Sequence, residues 1–457
     1  MIQQKTFINI TLAAILSCTI LSCDDLLDIN LPSDQLTVET VFTDSATVES
    51  AVGALYSQNF YMNPIYYYYP AYFATVMSDE AKHDVVSLEV YNQNSYEATT
   101  SSIGNIWEYA YQSIFLSNTL IRRLQETTAI SEERKKQFIG AAKYFRAYSF
   151  FVLINFYGDV PLPLDIDYKK TMTLPRESMA VIYEQIIADL KDAENGLVKS
   201  TNETNKITFH AASALLARAY LYAEKWTEAE TKANEVITGG GFQLETLDRV
   251  FLRSSKETIL KIQDWRTSYI GRTYWGGYVC RLANYNRLRD NLLNAFDEGD
   301  GRKTQWTGSI SGREYNQCLK YVQTRTPLNT ELSEDHVMLR LAEQYLIRAE
   351  ARAQQGKLSD AIDDLNAIRK RASLSPLSNI LSKEEVLLAV EKERQVEFFS
   401  EEAHRWWDLK RTGRIDAVLS RIKDKQWESH KAIWPIPEKE LNYNPNLTPS
   451  PGYGKIN

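Results

Sequence analysis

The chain has 457 residues, of which 44% are hydrophobic and 24% charged, and its formal net charge at pH 7 is −7. This length is sufficient for one large domain or two medium ones with a sizeable core. The acidic balance argues against a nucleic-acid partner, because neutralising phosphate groups requires clustered Lys and Arg. Composition therefore favours a globular protein that binds no nucleic acid.

The N-terminal segment has the pattern of a bacterial lipoprotein leader. The apolar stretch Phe7–Leu21 is too short to span a bilayer comfortably but has the length of a signal peptide. The sequence Ile-Leu-Ser-Cys occurs twice in and directly after this stretch, ending at Cys18 and at Cys23. We favour Cys23, because only that cysteine leaves a full-length apolar segment and an acidic start to the mature chain. Residues 1–22 are therefore predicted to be a signal peptide, and Cys23 to carry the lipid that holds the protein on the membrane.

The sequence predicts no cofactor and no metal site. The two later cysteines, Cys280 and Cys318, allow at most one disulfide, and their spacing leaves open whether they pair. The five histidines are scattered and form no metal-binding motif. Walker and Rossmann glycine patterns are also absent from the sequence.

Two helical hairpins with similar patterns follow in the middle and second half of the chain. The first is predicted over Phe209–Ala223, with Thr208 as its cap, and Glu228–Ile237. The second is predicted over Val337–Ala353 and Ser359–Ala372. Their small or apolar residues align as Ala217 with Ala349, Ala229 with Ala361, Ala233 with Leu365, and Val236 with Ile368. Small residues at these offsets let the two helices of a hairpin approach closely, as in tetratricopeptide repeats. We predict a mainly α fold.

Further helices are predicted at Phe138–Phe156 and Tyr183–Leu197. Ser382–Glu385 forms a capping box that begins another helix towards Phe399. The stretch 434–453 is rich in Pro and Asn and is predicted to lack regular helix.

Two aromatic, loop-rich segments, near 59–100 and 264–316, interrupt the helices. Long irregular insertions on a rigid scaffold are common places for binding surfaces. In the second segment, Tyr274, Trp275 and Tyr278 lie among glycine-containing turns. Sugars place their C–H faces on such rings, and each contact would contribute roughly 2 kcal/mol. The segments therefore predict a ligand-binding surface, with the alternative that the rings pack beneath the loops.

A charged cluster near the C-terminus could be mistaken for a catalytic site. Its members are Glu393, Arg394, Glu397, Glu402, Arg405 and Asp408. A hydrolase would place one carboxyl group of raised pKa opposite a second across a cleft. Here arginines alternate with the carboxylates, and Arg394 and Glu397 are i, i+3 neighbours. We interpret the cluster as structural ion pairs between the C-terminal helices.

Five motifs in chain order carry a resemblance to a known family. They are Cys23-Asp-Asp-Leu-Leu-Asp-Ile-Asn-Leu-Pro with its following helix, Phe138–Leu162, Leu339–Ala351, Glu393–Gly413 and Ile436–Tyr453. Together they resemble the SusD/RagB family of surface nutrient-binding lipoproteins. Ala403 and Pro449-Ser450 depart from the family pattern, but both lie in motifs of the scaffold.

The resemblance implies a right-handed superhelix of tetratricopeptide-like hairpins packed against a loop-rich, irregular ligand-binding portion, with 23–457 as a single domain. It implies a lipid-anchored protein on the outer-membrane surface, bound to a SusC-like TonB-dependent transporter. The cargo would be an oligosaccharide or, alternatively, a peptide or glycopeptide. No enzyme activity is implied, and a hydrolase and a purely structural repeat adaptor are the remaining alternatives.

The resemblance also suggests ligand-binding residues in the first aromatic segment. Asp79 lies in Met77-Ser-Asp-Glu80, which is similar to the short acidic motif that precedes the family's first binding loop. Tyr91 and Tyr96 stand where family members often offer an aromatic ring. We expect these three residues to join Tyr274, Trp275 and Tyr278 in contacting the ligand.

Overall fold

The computed structural model describes residues 38–84, 86–263, 286–309, 314–321, 334–423 and 427–454. The described helices are α1 Val38–Val41, α2 Ser45–Ser57, α3 Tyr69–Met77, α4 Glu89–Asn92, α5 Ser101–Glu126, α6 Glu132–Tyr157, α7 Tyr168–Thr171, α8 Met179–Gly196, α9 Phe209–Tyr222, α10 Trp226–Gly239, α11 Asp290–Leu293, α12 Gly301–Trp306, α13 Leu341–Gln354, α14 Leu358–Arg371, α15 Lys383–Phe398, α16 His404–Arg411, α17 Ile415–Lys423 and α18 Glu438–Tyr443. The strands are β1 Ala81–His83, β2 Thr258–Ile262, β3 Asn286–Leu288, β4 Thr307–Gly308, β5 Gln317–Cys318 and β6 His336–Arg340. The prediction of a mainly α fold is confirmed.

The long helices pack in the order in which they follow one another along the chain. α5 packs against α6, α6 against α8, α8 against α9, α9 against α10, and α10 against α13. α13 then packs against α14, and α15 covers both. The eight aligned hairpin residues, Ala217, Ala229, Ala233, Val236, Ala349, Ala361, Leu365 and Ile368, are all buried. Packing between sequence neighbours is the arrangement that stacked helical hairpins produce.

Two predicted helix starts are confirmed at the level of the cap. The Ser382 hydroxyl accepts a hydrogen bond from the Glu385 amide at 3.3 Å, and the Ser382 amide donates to the Glu385 carboxylate at 2.8 Å. The Thr208 hydroxyl likewise accepts from the Ala211 amide at 3.3 Å. Each cap satisfies amide donors that the first helical turn would otherwise leave without a partner.

Two other boundaries were predicted wrongly. The helix predicted from Val337 begins at Leu341, because the preceding five residues form β6, which pairs antiparallel with β2. β6 is buried along its whole length, and a short buried apolar run is compatible with either structure. Within 434–453, α18 begins directly after Pro437. Proline at a helix start sacrifices no helical hydrogen bond, so it does not prevent this turn.

The charged cluster is a buried ion-pair network, as predicted, but its pairs differ from the predicted ones. Arg394 donates to Asp408 at 2.6 Å, and Arg340 donates to Glu397 at 2.6 Å. The predicted pairing of Arg394 with Glu397 is wrong, because each finds a partner on another element in the interior. The network also extends far beyond the C-terminal helices, since Arg218 on α9 pairs with Glu402.

Candidate ligand-binding surface

The two aromatic segments predicted from the sequence meet in space. β1 from the first segment pairs antiparallel with β3 from the second, with Ala81 opposite Leu288 and His83 opposite Asn286. The Leu288 amide also donates to the carbonyl of Asn316 at 2.9 Å. We call the paired strands the β1–β3 ribbon. The ribbon therefore joins the two insertions to each other.

Asp79, two residues before β1, connects the ribbon to the scaffold through a buried ion pair. It is fully buried, and its carboxylate accepts two hydrogen bonds from Arg405 on α16, each 2.8 Å long. Asn291 donates to the same carboxylate at 2.7 Å and Gln395 at 3.1 Å. A bidentate guanidinium–carboxylate pair fixes both distance and orientation. With its oxygens so occupied, Asp79 has no place for a ligand, and its predicted role is corrected to that of an anchor.

Glu80, next to this anchor, is also buried. Burial, with a smaller contribution from the Asp79 charge, raises the pKa of the Glu80 carboxyl to about 8. The Glu80 carboxyl accepts from the Ser400 amide at 3.3 Å, and its carbonyl accepts from the Arg289 amide at 2.9 Å. Burial thus favours the protonated form of the Glu80 carboxyl group.

Tyr91 and Tyr96 are buried beneath the loop that carries them, each with 3% or less of its surface exposed. Their rings lie against Trp434, with ring centroids 6.3 and 5.8 Å away. The Tyr96 hydroxyl donates to the carbonyl of Lys431, and Tyr91 shares a hydrogen bond with Ser102. The predicted ligand contact does not fit this placement, because neither ring offers a face to solvent. The alternative of rings packed beneath the loop applies to both.

Exposed side chains on the ribbon are the ones that the structure makes available to a ligand. The Arg287 guanidinium lies 4.7 Å from the centroid of the Tyr315 ring and 3.4 Å from the Asp84 carboxylate. The Arg287 side chain is 51% exposed. A planar ring, a guanidinium and a carboxylate thus share one surface. The sequence did not single out Arg287 and Tyr315, although both lie in the second aromatic segment.

The remaining predicted site residues lie outside the described part of the chain. These are Cys23, Tyr274, Trp275 and Tyr278, and Cys280 lies there too. In the sequence, 264–285 lies between the end of β2 and the start of β3. Within the described ranges, there is no group of three or more His, Cys, Asp or Glu residues that could hold a metal ion. No helix in those ranges is both long and apolar enough to cross a membrane.

Two family models match different parts of the chain. One, described as the SusD family, matches residues 283–453, and the other, described as "Starch-binding associating with outer membrane", matches 25–221. SusD-like protein P38 of Formosa agariphila is 23% identical, over 96% of this chain and 98% of that protein. The starch-binding protein SusD of Bacteroides thetaiotaomicron is 30% identical over 181 residues, which cover 36% of this chain and 31% of that protein.

Solved structures share the fold. A SusD superfamily protein from Bacteroides vulgatus has a TM-score of 0.79 and 23% identity, covering 90% of this chain and 100% of that one. A laminarin-binding SusD-like protein has a TM-score of 0.75 and 22% identity, with the same coverage. The shared fold therefore covers about nine-tenths of the chain.

Proposed function

This chain belongs to the SusD/RagB family, and from that premise we propose that it captures an oligosaccharide at the cell surface and delivers it to a SusC-like TonB-dependent transporter. Outer-membrane association and starch binding are what the matched family model describes. Members of this family are carbohydrate-binding proteins rather than enzymes, and this chain is accordingly a binding protein.

The pairing of β1 with β3 is the observation that best supports a ligand site on the loops. It joins both aromatic insertions and leaves Arg287, Asp84 and Tyr315 at their common surface. A ring face suits the C–H face of a sugar, and the two charged groups can hydrogen-bond its hydroxyls. We include Tyr274, Trp275 and Tyr278 in the proposed site, because their segment is continuous with β3.

The route to the membrane is part of the same proposal. Residues 1–22 would be removed as a signal peptide, and lipid on Cys23 would anchor 23–457, a single domain, in the outer membrane. A single acyl chain binds a membrane only marginally, whereas the several chains of a bacterial lipoprotein hold it permanently. Mass spectrometry of the membrane-extracted protein tests this step, since an unmodified Cys23 would exclude the anchor.

Titration calorimetry with the soluble chain from residue 24 tests the ligand class. Starch and laminarin oligosaccharides are compared with peptide pools, and we expect dissociation constants from high micromolar to millimolar for the sugars, because two or three ring contacts barely exceed the entropic cost of binding. Saturable binding of peptides but not of sugars would indicate that the cargo is a peptide and not a glycan. Turnover of a bound ligand would instead revive the hydrolase alternative.

A pair of arginine variants locates the site. Arg287→Ala is expected to weaken oligosaccharide binding at least fivefold, about 1 kcal/mol. Arg414→Ala is the matched control, because Arg414 is similarly exposed and ion-paired, to Glu391 at 3.0 Å, but lies after α16 on the scaffold. Equal affinities of the two variants for the oligosaccharide would show that the ribbon is not part of the binding site.

A further inference from the structure

A second cavity lies away from the β1–β3 ribbon. Its walls come from α5, the 161–163 turn, the C-terminal end of α7, and α18 with the residues after it. Its volume is about 540 Å³, within the range of about 300–1,000 Å³ that small-ligand sites occupy. None of its lining residues belongs to the two aromatic insertions, so it is a separate site in the described part of the chain.

The wall from α5 is a single helix face. Glu108, Tyr111, Gln112 and Phe115 are spaced i, i+3, i+4 and i+7, which places them one above another along the helix. The opposite side of α5, including Ile106, is buried in the core. Phe115 is 53% exposed even though it lines a cavity. The open helix face therefore presents an aromatic ring next to a carboxylate and an amide.

The other walls add further exposed apolar surface. Tyr443, at the end of α18, is 71% exposed, and Met172, after α7, is 55% exposed. Both line the same cavity as Phe115. Large apolar side chains that stay exposed together, rather than singly, mark binding surfaces on soluble proteins.

Every charged residue that lines this cavity is acidic. The three are Glu108, Asp165 and Glu440, and the lining contains neither Lys nor Arg. Asp165 is paired with Lys170, which lies outside the lining, at 3.2 Å. The Trp107 indole hydrogen-bonds to Glu440, and burial raises the pKa of that carboxyl group. Carboxylate oxygens accept hydrogen bonds from hydroxyl groups and repel anions.

We propose that this cavity is a second carbohydrate site, selective for uncharged sugars. The rings of Phe115 and Tyr443 would take the C–H faces of the sugar, while Glu108, Asp165 and Gln112 would accept or exchange hydrogen bonds with its hydroxyls. The Glu108 carboxylate would repel uronates and sulfated sugars. The ligand class rests on the proposed function, whereas the site and its selectivity rest on this cavity. A chain long enough to reach both sites would bind more tightly than a short one.

Hydrogen exchange read by mass spectrometry, with saturating maltohexaose or laminarihexaose, tests the second site. We expect at least about twofold slower exchange in peptides covering 108–118 and 438–447, beside slower exchange at the ribbon. Phe115→Ala combined with Tyr443→Ala should abolish the protection of 108–118 and 438–447 and leave the ribbon protected. Arg287→Ala should raise the sugar concentration needed to protect the ribbon about fivefold and leave the protection of the cavity unchanged. The control variant, Leu388→Ala with Val198→Ala, removes two exposed apolar side chains elsewhere and should change the protection of neither region.

The outcomes separate the two proposals. If a hexasaccharide protects the ribbon but leaves 108–118 and 438–447 unchanged, the second site is refuted and the proposed function stands. If neither region is protected by either sugar, both proposals fail. Equal protection of the cavity by hexagalacturonate would refute its selectivity for uncharged sugars.

Discussion

Replacing Asp79 by asparagine tests whether this residue is an anchor or a ligand contact. Its carboxylate holds Arg405 through two hydrogen bonds of 2.8 Å, and both side chains are buried. Asparagine preserves the shape of the side chain but removes its charge. Arg405 would then stay buried in the interior without its principal counterion.

The expected cost follows from that burial. Breaking a buried ion pair by removing one partner lowers the free energy of unfolding by about 3–5 kcal/mol, because the remaining charge is left uncompensated. Glu391 also contacts Arg405, at 3.4 Å, and offsets part of the loss. We therefore expect a loss near the lower bound, about 3 kcal/mol. Glu49→Gln is the matched control, since its pair with Arg134, at 3.0 Å, is exposed and should contribute about 0–1 kcal/mol.

Urea unfolding followed by circular dichroism at pH 7 measures both variants, and oligosaccharide titration is done in parallel on the folded proteins. Asp79→Asn should be much less stable than Glu49→Gln. It should still bind sugar, but more weakly than the wild type, because the ribbon is held less firmly. A stability loss below about 1 kcal/mol together with abolished binding would refute the anchor and restore Asp79 as a ligand contact.

Two further predictions concern Glu80 and Ser382. Because the folded-state pKa of Glu80 is about 8, above its ordinary value of 4.5, the folded state binds more protons and its stability falls as pH rises towards and through 8. Glu80→Gln removes this dependence. Comparing the free energy of unfolding of wild type and variant in urea at pH 6 and pH 9 separates the contribution of Glu80 from those of Glu402 and Lys410, each with a pKa of about 7. Parallel pH profiles of the two proteins would contradict the assignment. Ser382→Ala should lower the free energy of unfolding by about 1 kcal/mol, because the helix loses its cap. The control Ser50→Ala, at an exposed mid-helix position, should not lower it. Equal losses in thermal unfolding of the two variants would argue against the capping box.

The scaffold could be predicted from sequence because its signals are local. The caps at Thr208 and Ser382 lie within one helical turn, and the paired alanines of each hairpin are only 12 residues apart; the structure confirms the caps and buries the alanines. β6 was mistaken for helix because its partner β2 lies more than seventy residues earlier, and a local pattern carries no information about a distant strand.

The candidate site depended on distant contacts and was therefore predicted only in outline. The two loop segments were identified, but their pairing through β1 and β3 had no local signal. Tyr91 and Tyr96 are buried against Trp434, which lies more than three hundred residues later in the sequence. The local sequence around an aromatic residue in a loop is the same whether its ring is exposed to solvent or buried beneath the loop. Arg394 and Glu397 were paired by spacing alone, whereas burial gives each a stronger partner on another element.

The contact between Asp79 and Arg405 joins positions 326 residues apart in the chain. During synthesis and export the earlier part of a chain emerges first, and its helical hairpins can pack as soon as their neighbours follow. The anchoring of the ribbon has to wait for Arg405, so this contact closes a loop of 326 residues late in synthesis. A translation product cut short before residue 405 would therefore retain stacked helices and lack an ordered binding surface, which makes ligand binding a measure of complete biogenesis.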